Sequence, residues 1–342
     1  MTPKAEPLVS VVLPAHNEAR WIESCIQGFL QQSYKHIEII VVDDGSSDRT
    51  VEIAAQYPVR IIRHERCKGE AAARTTGSRA AKGDIVLHGE ADARYQTDYI
   101  ERGLRYFEDP EVMAVTCGEI RVLPEVAGLV GDYYRTRRRA SFLLRNRGAK
   151  PAWGCHMVRR VVFERVGYYD SNCVVGCDAD LARRIAQAGL KTVWGKDMYF
   201  EHADPGTLRV FLRRTYRGNL FSRVYQKKWG EWPSLPKQLA FLVWNAIVLL
   251  SPLCLLLAFW WPLVALVPVG FFLIEGVGAV LLHKDSRVGF GLALGEAKIA
   301  LALSYPVLVF LRVRASLMGR TAAFLKGGAD RRVSWEEEAA LA

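Results

Sequence analysis

Two pairs of acidic residues in this chain stand where carboxylates can do chemistry. Asp43 and Asp44 end the run Ile39-Ile40-Val41-Val42, and Glu90 and Asp92 follow Ile85-Val86-Leu87-His88 after one glycine. A run of aliphatic residues, four before Asp43 and three before His88, forms a strand buried on both faces, and a charged pair cannot share that core, so each pair must sit at the carboxyl end of its strand. In an open α/β sheet that edge is where ligands bind, and Asp43 and Asp44 there can hold a ribose, a base or a metal. Asp-Asp-Gly is equally compatible with a plain turn, with Ser47 or Asp48 capping the next helix. Two carboxylates one residue apart, as in Glu90-Ala91-Asp92, can offer oxygen ligands to a hard divalent cation, which in turn can bridge a diphosphate. A solvated turn with Thr97 or Asp98 as helix cap is the plainer account of that triplet.

The elements that must position these groups alternate. Val9 to Pro14 is a strand, and Asn17 is the candidate cap of a helix over Ala19 to Gln31. That helix places Trp21, Ile22, Cys25, Ile26, Phe29 and Leu30 on one face. Thr50 to Tyr57 is a short helix, Val59 to Ile62 a third strand, and a helix rich in small residues starts at Lys68 to Arg74 before the fourth strand, Ile85 to His88. Strand and helix at this spacing predict βαβ units and a mostly parallel, Rossmann-like sheet that binds a nucleotide.

Several segments, in order and spacing, together carry a resemblance. They are Pro14-Ala15-His16-Asn17-Glu18, Val42-Asp43-Asp44-Gly45-Ser46-Ser47-Asp48, Gly69 with Ala73-Arg74-Thr75-Thr76-Gly77, and Glu90-Ala91-Asp92-Ala93. Further on come Gly154-Cys155-His156-Met157, Val166 to Asp170, and Asp178-Ala179-Asp180-Leu181-Ala182-Arg183-Arg184. Over about residues 8 to 220 the chain resembles the family 2 glycosyltransferases with a GT-A fold.

The resemblance implies an inverting transfer from a nucleotide-diphosphate sugar, a UDP-sugar in the first instance, with a divalent cofactor, Mn or Mg. It implies that Pro14, Ala15 and Glu18 line the nucleoside pocket and that Asp44, with Asp43, contacts base or ribose. Lys68 and Arg74 would lie near the nucleotide or its phosphates. Glu90 and Asp92 take the place of the family's Asp-x-Asp metal motif, with a glutamate first. His202 matches a late histidine that completes the metal or diphosphate site, or else is a hydrogen-bonded core residue. Asp178 matches the base that takes the acceptor proton, and Cys177 stands where the family usually has glutamate. Asp178 and Asp180 as helix-capping charges are the alternative. Trp153 stacks an acceptor or packs beneath its loop. The chain has Arg213 to Asn219 where processive synthases carry Gln-x-x-Arg-Trp, which implies single-residue transfer.

Charge and hydropathy describe the remainder. The formal charge is +10. Nine Lys and Arg lie between Arg135 and Arg160, and seven between Arg209 and Lys228. From Leu239 to Leu282 the only charge is Glu275. Basic residues beside an apolar block attract anionic lipid at about 1 kcal/mol each, and with no nucleic-acid-binding module in view the basic clusters are assigned to a membrane. Spans over Gln238 to Phe259 and Leu263 to Leu282 are expected as a hairpin, with Gly289 to Leu311 re-entrant or interfacial. The expected domains are 1–205 for the transferase, 206–237 for an amphipathic interfacial helix bearing Arg213, Arg214 and Arg217 on the lipid or acceptor side, 238–320 for the membrane region, and 321–342 for a tail.

The short polar stretch Met1 to Pro7 has no signal-peptide core, so the catalytic domain is expected on the cytoplasmic side of the inner membrane. Seven cysteines without a repeated Cys-x-x-Cys spacing fit reduced thiols. The acceptor is expected to be a lipid or membrane-proximal hydroxyl. The alternatives are a polyprenyl-phosphate glycosyltransferase and a catalytically silent nucleotide-sugar-binding scaffold.

Overall fold

A computed structural model of the protein describes residues 6–146, 156–231, 266–272, 284–295 and 299–325, with isolated positions between 234 and 281. The chain divides into two units. The first takes its described residues from 6–123 and 156–203, the second from 124–146 and from 204 onward. Residues 124–146, which fall within the 1–205 range expected for the first domain, group with the second unit.

Among the described residues of the first unit, eight strands form one sheet in the order β3-β2-β1-β4-β7-β6-β8-β5. They are β1 (Val9–Ala15), β2 (Ile37–Asp43), β3 (Arg60–Arg63), β4 (Ile85–His88), β5 (Ala93–Tyr95), β6 (Val112–Val122), β7 (His156–Arg159) and β8 (Lys191–His202). β3, β2, β1 and β4 run parallel, as the alternating strand and helix pattern requires. β7 then pairs antiparallel with both β4 and β6, β6 is parallel to β8, and β5 is antiparallel to β8. β1 and β2 carry unbroken apolar runs because helices cover both faces of their half of the sheet.

The crossovers of the parallel half are α1 (Ile22–Leu30), α2 (Thr50–Ala54) and α3 (Glu70–Ala80); α4 (Tyr99–Tyr106), α6 (Val161–Val166) and α7 (Cys177–Gln187) follow. α1 buries Ile22, Cys25, Ile26 and Phe29, the face its spacing predicts. Its start departs from expectation: Trp21, not Asn17, occupies the cap position. Asn17 instead has φ of +58° and accepts a hydrogen bond on Oδ1 from the Ser47 N–H at 2.9 Å. Asparagine tolerates that left-handed backbone, so its side chain is spent joining two loops rather than capping a helix. Neither Ser47 nor Asp48 caps α2, although Asp48 accepts from the Thr50 N–H at 3.0 Å. α4 begins after Asp98, which makes no side-chain cap.

The second unit is helical: α5 (Gly128–Asn146), α8 (Leu208–Phe221), α9 (Arg223–Lys228), α10 (Leu266–Phe272), α11 (Lys284–Gly295) and α12 (Ile299–Leu325). Tyr133 of α5 is buried, with its ring 5.6 Å from Phe211 of α8 and 5.1 Å from Tyr305 of α12. Arg138 holds the buried Asp204 through two hydrogen bonds at 2.8 and 2.9 Å. These contacts are why α5 joins the C-terminal helices rather than the sheet. Most of the hairpin expected over 238–282 lies outside the described residues. Among the described residues no helix is long and apolar enough to cross a membrane, so the expected C-terminal membrane helices are not supported. The segment expected as re-entrant, 289–311, is divided between α11 and α12, and α12 carries Arg312, Arg314 and Arg320 within its length.

Gly77 sets how closely α3 lies on the sheet, because a Cβ there would stand 2.2 Å from Val12 Cγ1 and 3.1 Å from Val42 Cγ2. Both neighbours are fully buried strand residues with nowhere to move. Gly77→Val is expected to cost about 1–3 kcal/mol from overpacking, read as a lower urea midpoint; an unchanged midpoint would contradict this packing.

Candidate active site

The carboxyl ends of β1 and β2 are joined by their loops. The Glu18 N–H donates to Thr50 Oγ1 at 2.8 Å, the Ala19 N–H to Asp48 Oδ2 at 3.0 Å, and His16 Nδ1 lies 2.8 Å from the Asp44 carbonyl. Pro14 and Ala15 end β1 in register with Val42 and Asp43. Asp43 is fully buried; its Oδ1 accepts from the Ser46 N–H, and Arg63 Nε stands 3.1 Å from Oδ2.

Asp44 is a hub. Its Oδ1 accepts from His64 Nδ1 at 2.6 Å and from the Lys68 N–H at 2.9 Å; its Oδ2 accepts from the Gly69 N–H at 2.6 Å and from the Cys67 thiol at 3.1 Å. Burial pushes this carboxyl up, but the hydrogen bonds from His64, Lys68, Cys67 and Gly69 outweigh it and hold its pKa below the ordinary value. The loop at Arg66 and Cys67 can come so near because position 45 is glycine: with φ of +73°, a Cβ there would stand 2.7 Å from backbone atoms of both residues. Lys68, exposed, is therefore placed by its backbone.

The second cluster follows from register. β5 pairs Ala93 with His202, and the Ala203 N–H donates to the Asp92 carbonyl at 3.1 Å, so the end of β8 lies against the loop that carries the acids. His202 Nε2 lies 2.9 Å from Glu90 Oε2 and 3.4 Å from Asp92 Oδ2. One ligand atom from each residue can be chosen so that all three lie within 4.8 Å of one another. Two carboxylates and an imidazole nitrogen at that separation fit a divalent cation such as Mn or Mg. The Glu90 backbone is fixed by a bond from its N–H to the Tyr95 hydroxyl at 2.8 Å, and the Tyr95 ring is stacked on Phe200.

The third cluster stands at the start of α7, where Gly176 turns with φ of +88°. Asp178 is one-fifth exposed, and its Oδ1 makes no hydrogen bond among the described residues. Arg74 of α3, fully buried, lies with Nε 3.7 Å from that oxygen, while its Nε and Nη2 donate to Glu70 Oε1 at 2.8 and 2.7 Å. Burial pushes the Asp178 carboxyl up to about 7; Arg74 opposes the rise, and Glu70 and Glu90 add to it. Burial also works against the charge on Arg74, yet Asp178 and Glu70 more than offset it and raise its pKa well above the ordinary value. Burial raises the Cys177 thiol, reinforced by Asp178 and Glu70, so it stays protonated. Asp180 is fully buried and accepts from Arg184 Nε at 2.9 Å. Arg184 in turn holds the Gly167 and Tyr168 carbonyls, which makes Asp180 a support for the preceding loop.

The structure therefore brings Glu90, Asp92 and His202 together, and separately Arg74 and Asp178. Arg74, expected near the nucleotide or its phosphates, contacts Glu70 and Asp178. Trp153 lies outside the described residues. Arg213, Arg214 and Arg217 lie on α8 of the second unit, where Arg214 is 3.7 Å from Asp204. Two residues escaped the sequence reading. Glu70 was signalled by its four-residue spacing from Arg74 on one helix; His64 had no local signal.

Residues 10–167 match the family described as Glycosyl transferase family 2. The glycosyltransferase AglE of Haloferax volcanii is 28% identical over 201 residues, covering 56% of this chain and 66% of that protein. The uncharacterized glycosyltransferase EpsJ of Bacillus subtilis is 36% identical over 116 residues, 33% of this chain and 34% of that protein. The chain thus spans from a third to just under two thirds of these relatives' length. Among solved structures, a mannosyltransferase from Pyrobaculum calidifontis, in complex with GDP-Man and Mn2+, shares the fold with a TM-score of 0.56 at 22% identity, over 95% of this chain and 89% of that one. A mixed α/β, GT-A-like sheet is thereby supported.

The Asp44 hub makes a stability prediction. Asp44→Asn replaces an acceptor oxygen by an amide that must face a backbone donor, and is expected to cost about 1–3 kcal/mol at pH 7. Because its folded pKa is depressed, Asp44 contributes stability above the unfolded carboxylate value of about 3.9 and loses it as pH falls through the folded value. Denaturation curves should therefore show the gap between wild type and variant narrowing in acid.

Proposed function

We propose that this protein is an inverting glycosyltransferase, moving a sugar from a nucleoside-diphosphate donor to an acceptor hydroxyl at the cytoplasmic face of a membrane. The observation that carries the reading is Asp178, a carboxylate whose pKa is pushed up to about 7 and whose Oδ1 makes no hydrogen bond among the described residues. A general base works best with a pKa near the operating pH. An acceptor phosphate would need no such base, which favours a hydroxyl over a polyprenyl phosphate. The family match over residues 10–167 and the relatives' names support the reaction class. The basic residues of 209–228 and the exposed Leu208 and Val210 on α8 motivate the membrane-facing acceptor.

In this reading Pro14, Ala15, Glu18 and Asp43 wall the nucleoside, and Asp44 shapes that wall through the loop it holds. Lys68 reaches the diphosphate. Glu90, Asp92 and His202 would hold a divalent cation, which when bound supplies positive charge to the departing diphosphate. Asp178 takes the acceptor's proton as the hydroxyl oxygen attacks the anomeric carbon. The bond from that carbon to the diphosphate oxygen breaks with its electron pair leaving on the nucleotide, and the configuration inverts.

Asp178→Asn is expected to lower transfer by roughly a hundredfold or more, and Asp92→Ala to abolish it, each without unfolding the chain. The acid limb of wild-type kcat/KM should lie near pH 7. The stability arm has the opposite sign. A carboxyl with a raised folded pKa contributes stability in acid that is lost as pH rises through that value, so Asp178→Asn should melt no lower than wild type above pH 7. Full transfer activity in Asp178→Asn would remove it from the reaction.

A further inference from the structure

Arg74 poses a problem for the base beside it. A buried guanidinium next to a carboxylate ordinarily closes into a salt bridge, which ties up the lone pairs and lowers the pKa. Here it stops at 3.7 Å from Asp178 Oδ1, while both its Nε and its Nη2 are drawn to Glu70 Oε1 at 2.8 and 2.7 Å. Glu70 lies one turn before Arg74 on α3, nearly half exposed, and the backbone that starts this helix is anchored by the Asp44 bonds to Lys68 and Gly69. Cys177, Glu70 and Asp178 each place a ligand atom within 4.8 Å of the others, so the three side chains surround one point.

We propose that Glu70 is a positioning residue that holds Arg74 back from Asp178 and so keeps the buried Asp178 Oδ1 free of the close charged hydrogen bond that would quench it as a base. The charged and titratable groups facing Asp178 are Arg74 and Glu70 from α3, Cys177 on its own helix, Glu90 from the loop after β4, and the buried Tyr169, whose ring lies 5.9 Å from the Arg74 guanidinium, whose hydroxyl is 2.7 Å from His156 Nε2, and which burial keeps neutral. Cys177 is a buried neutral thiol and cannot hold a guanidinium. Among these groups the restraint on Arg74 falls to Glu70. Without it, a shift of about 0.9 Å would bring Arg74 Nε to hydrogen-bond distance from Asp178.

The inference deepens the proposed reaction and rests on it only for its activity arm. Glu70→Ala should lower kcat by about tenfold or more with the donor KM within about twofold of wild type, because the base is quenched while donor contacts remain. Glu70→Asp should recover most of the loss. The double variant Glu70→Ala with Cys177→Asp, which returns a carboxylate to the same point, should recover part of it, with melting curves confirming that each variant folds. A crystal structure of Glu70→Ala supplies a readout that needs no activity: Arg74 Nε should lie within about 3 Å of Asp178 Oδ1. Arg74 remaining well short of Asp178 in that structure, or Glu70→Ala retaining wild-type kcat, overturns the proposal. Loss of donor affinity with kcat intact overturns it too, since Glu70 would then be a donor ligand. If wild type transfers no sugar but Arg74 closes on Asp178 in Glu70→Ala, the positioning claim stands and the reaction assignment fails.

Discussion

The four hydrogen bonds to Asp44 are the constraint on which the site depends. A carboxylate that follows a buried apolar run and stays buried itself must find its full complement of donors. Asp44 finds them in His64, Lys68, Gly69 and Cys67, from the end of β3 and the loop before α3. Satisfying it therefore fixes where α3 begins. The start of α3 fixes Glu70 and Arg74, one turn apart on the same helix, and these stand against Asp178 at the start of α7. A buried charge at one strand end is thus connected, through backbone donors and one helical turn, to a carboxylate more than a hundred residues later in the chain.

The clusters differ in how their charge is compensated. At Asp44 donors outweigh burial and the carboxyl is held ionised. At Asp178 burial outweighs its neighbours and the carboxyl sits near neutrality. The same residue type is held ionised at one place and pushed toward the protonated form at the other according to how many donors surround it. Holding Asp178 in that state opposes stability at neutral pH, as expected of a site arranged for chemistry rather than for folding. The Glu90, Asp92 and His202 group is a third case. The pairing of Ala93 with His202 brings an imidazole to two acids that would otherwise repel.

Apolar runs followed by acids located the strand ends and the carboxylates on them, because burial on both faces of a parallel sheet leaves a pattern in one dimension. The antiparallel insertion of β7 between β4 and β6 left no such mark. Its four residues, His156 to Arg159, are too few to show a period, and their partners were chosen by the closing of the sheet. Asn17 read as a cap and is instead a bridge between two loops, since whether its oxygen meets a helix or Ser47 depends on a contact thirty residues away. α5 read as part of the first domain and packs with the C-terminal helices through Tyr133, a partnership with Phe211 and Tyr305 that no local window contains. The contacts of Arg74 were not legible, because they depend on Glu70 and Asp178 competing for one guanidinium.

We infer that the carboxyl edge of this sheet is a donor site for a nucleotide sugar, completed by a cation at Glu90, Asp92 and His202. The most direct test is calorimetric titration of UDP, GDP and their sugars into the purified chain, with and without Mn2+ or Mg2+. Saturable binding of one nucleotide sugar that strengthens with the cation and is lost in Asp92→Ala is the expected result. Absence of nucleotide binding under every condition would contradict it.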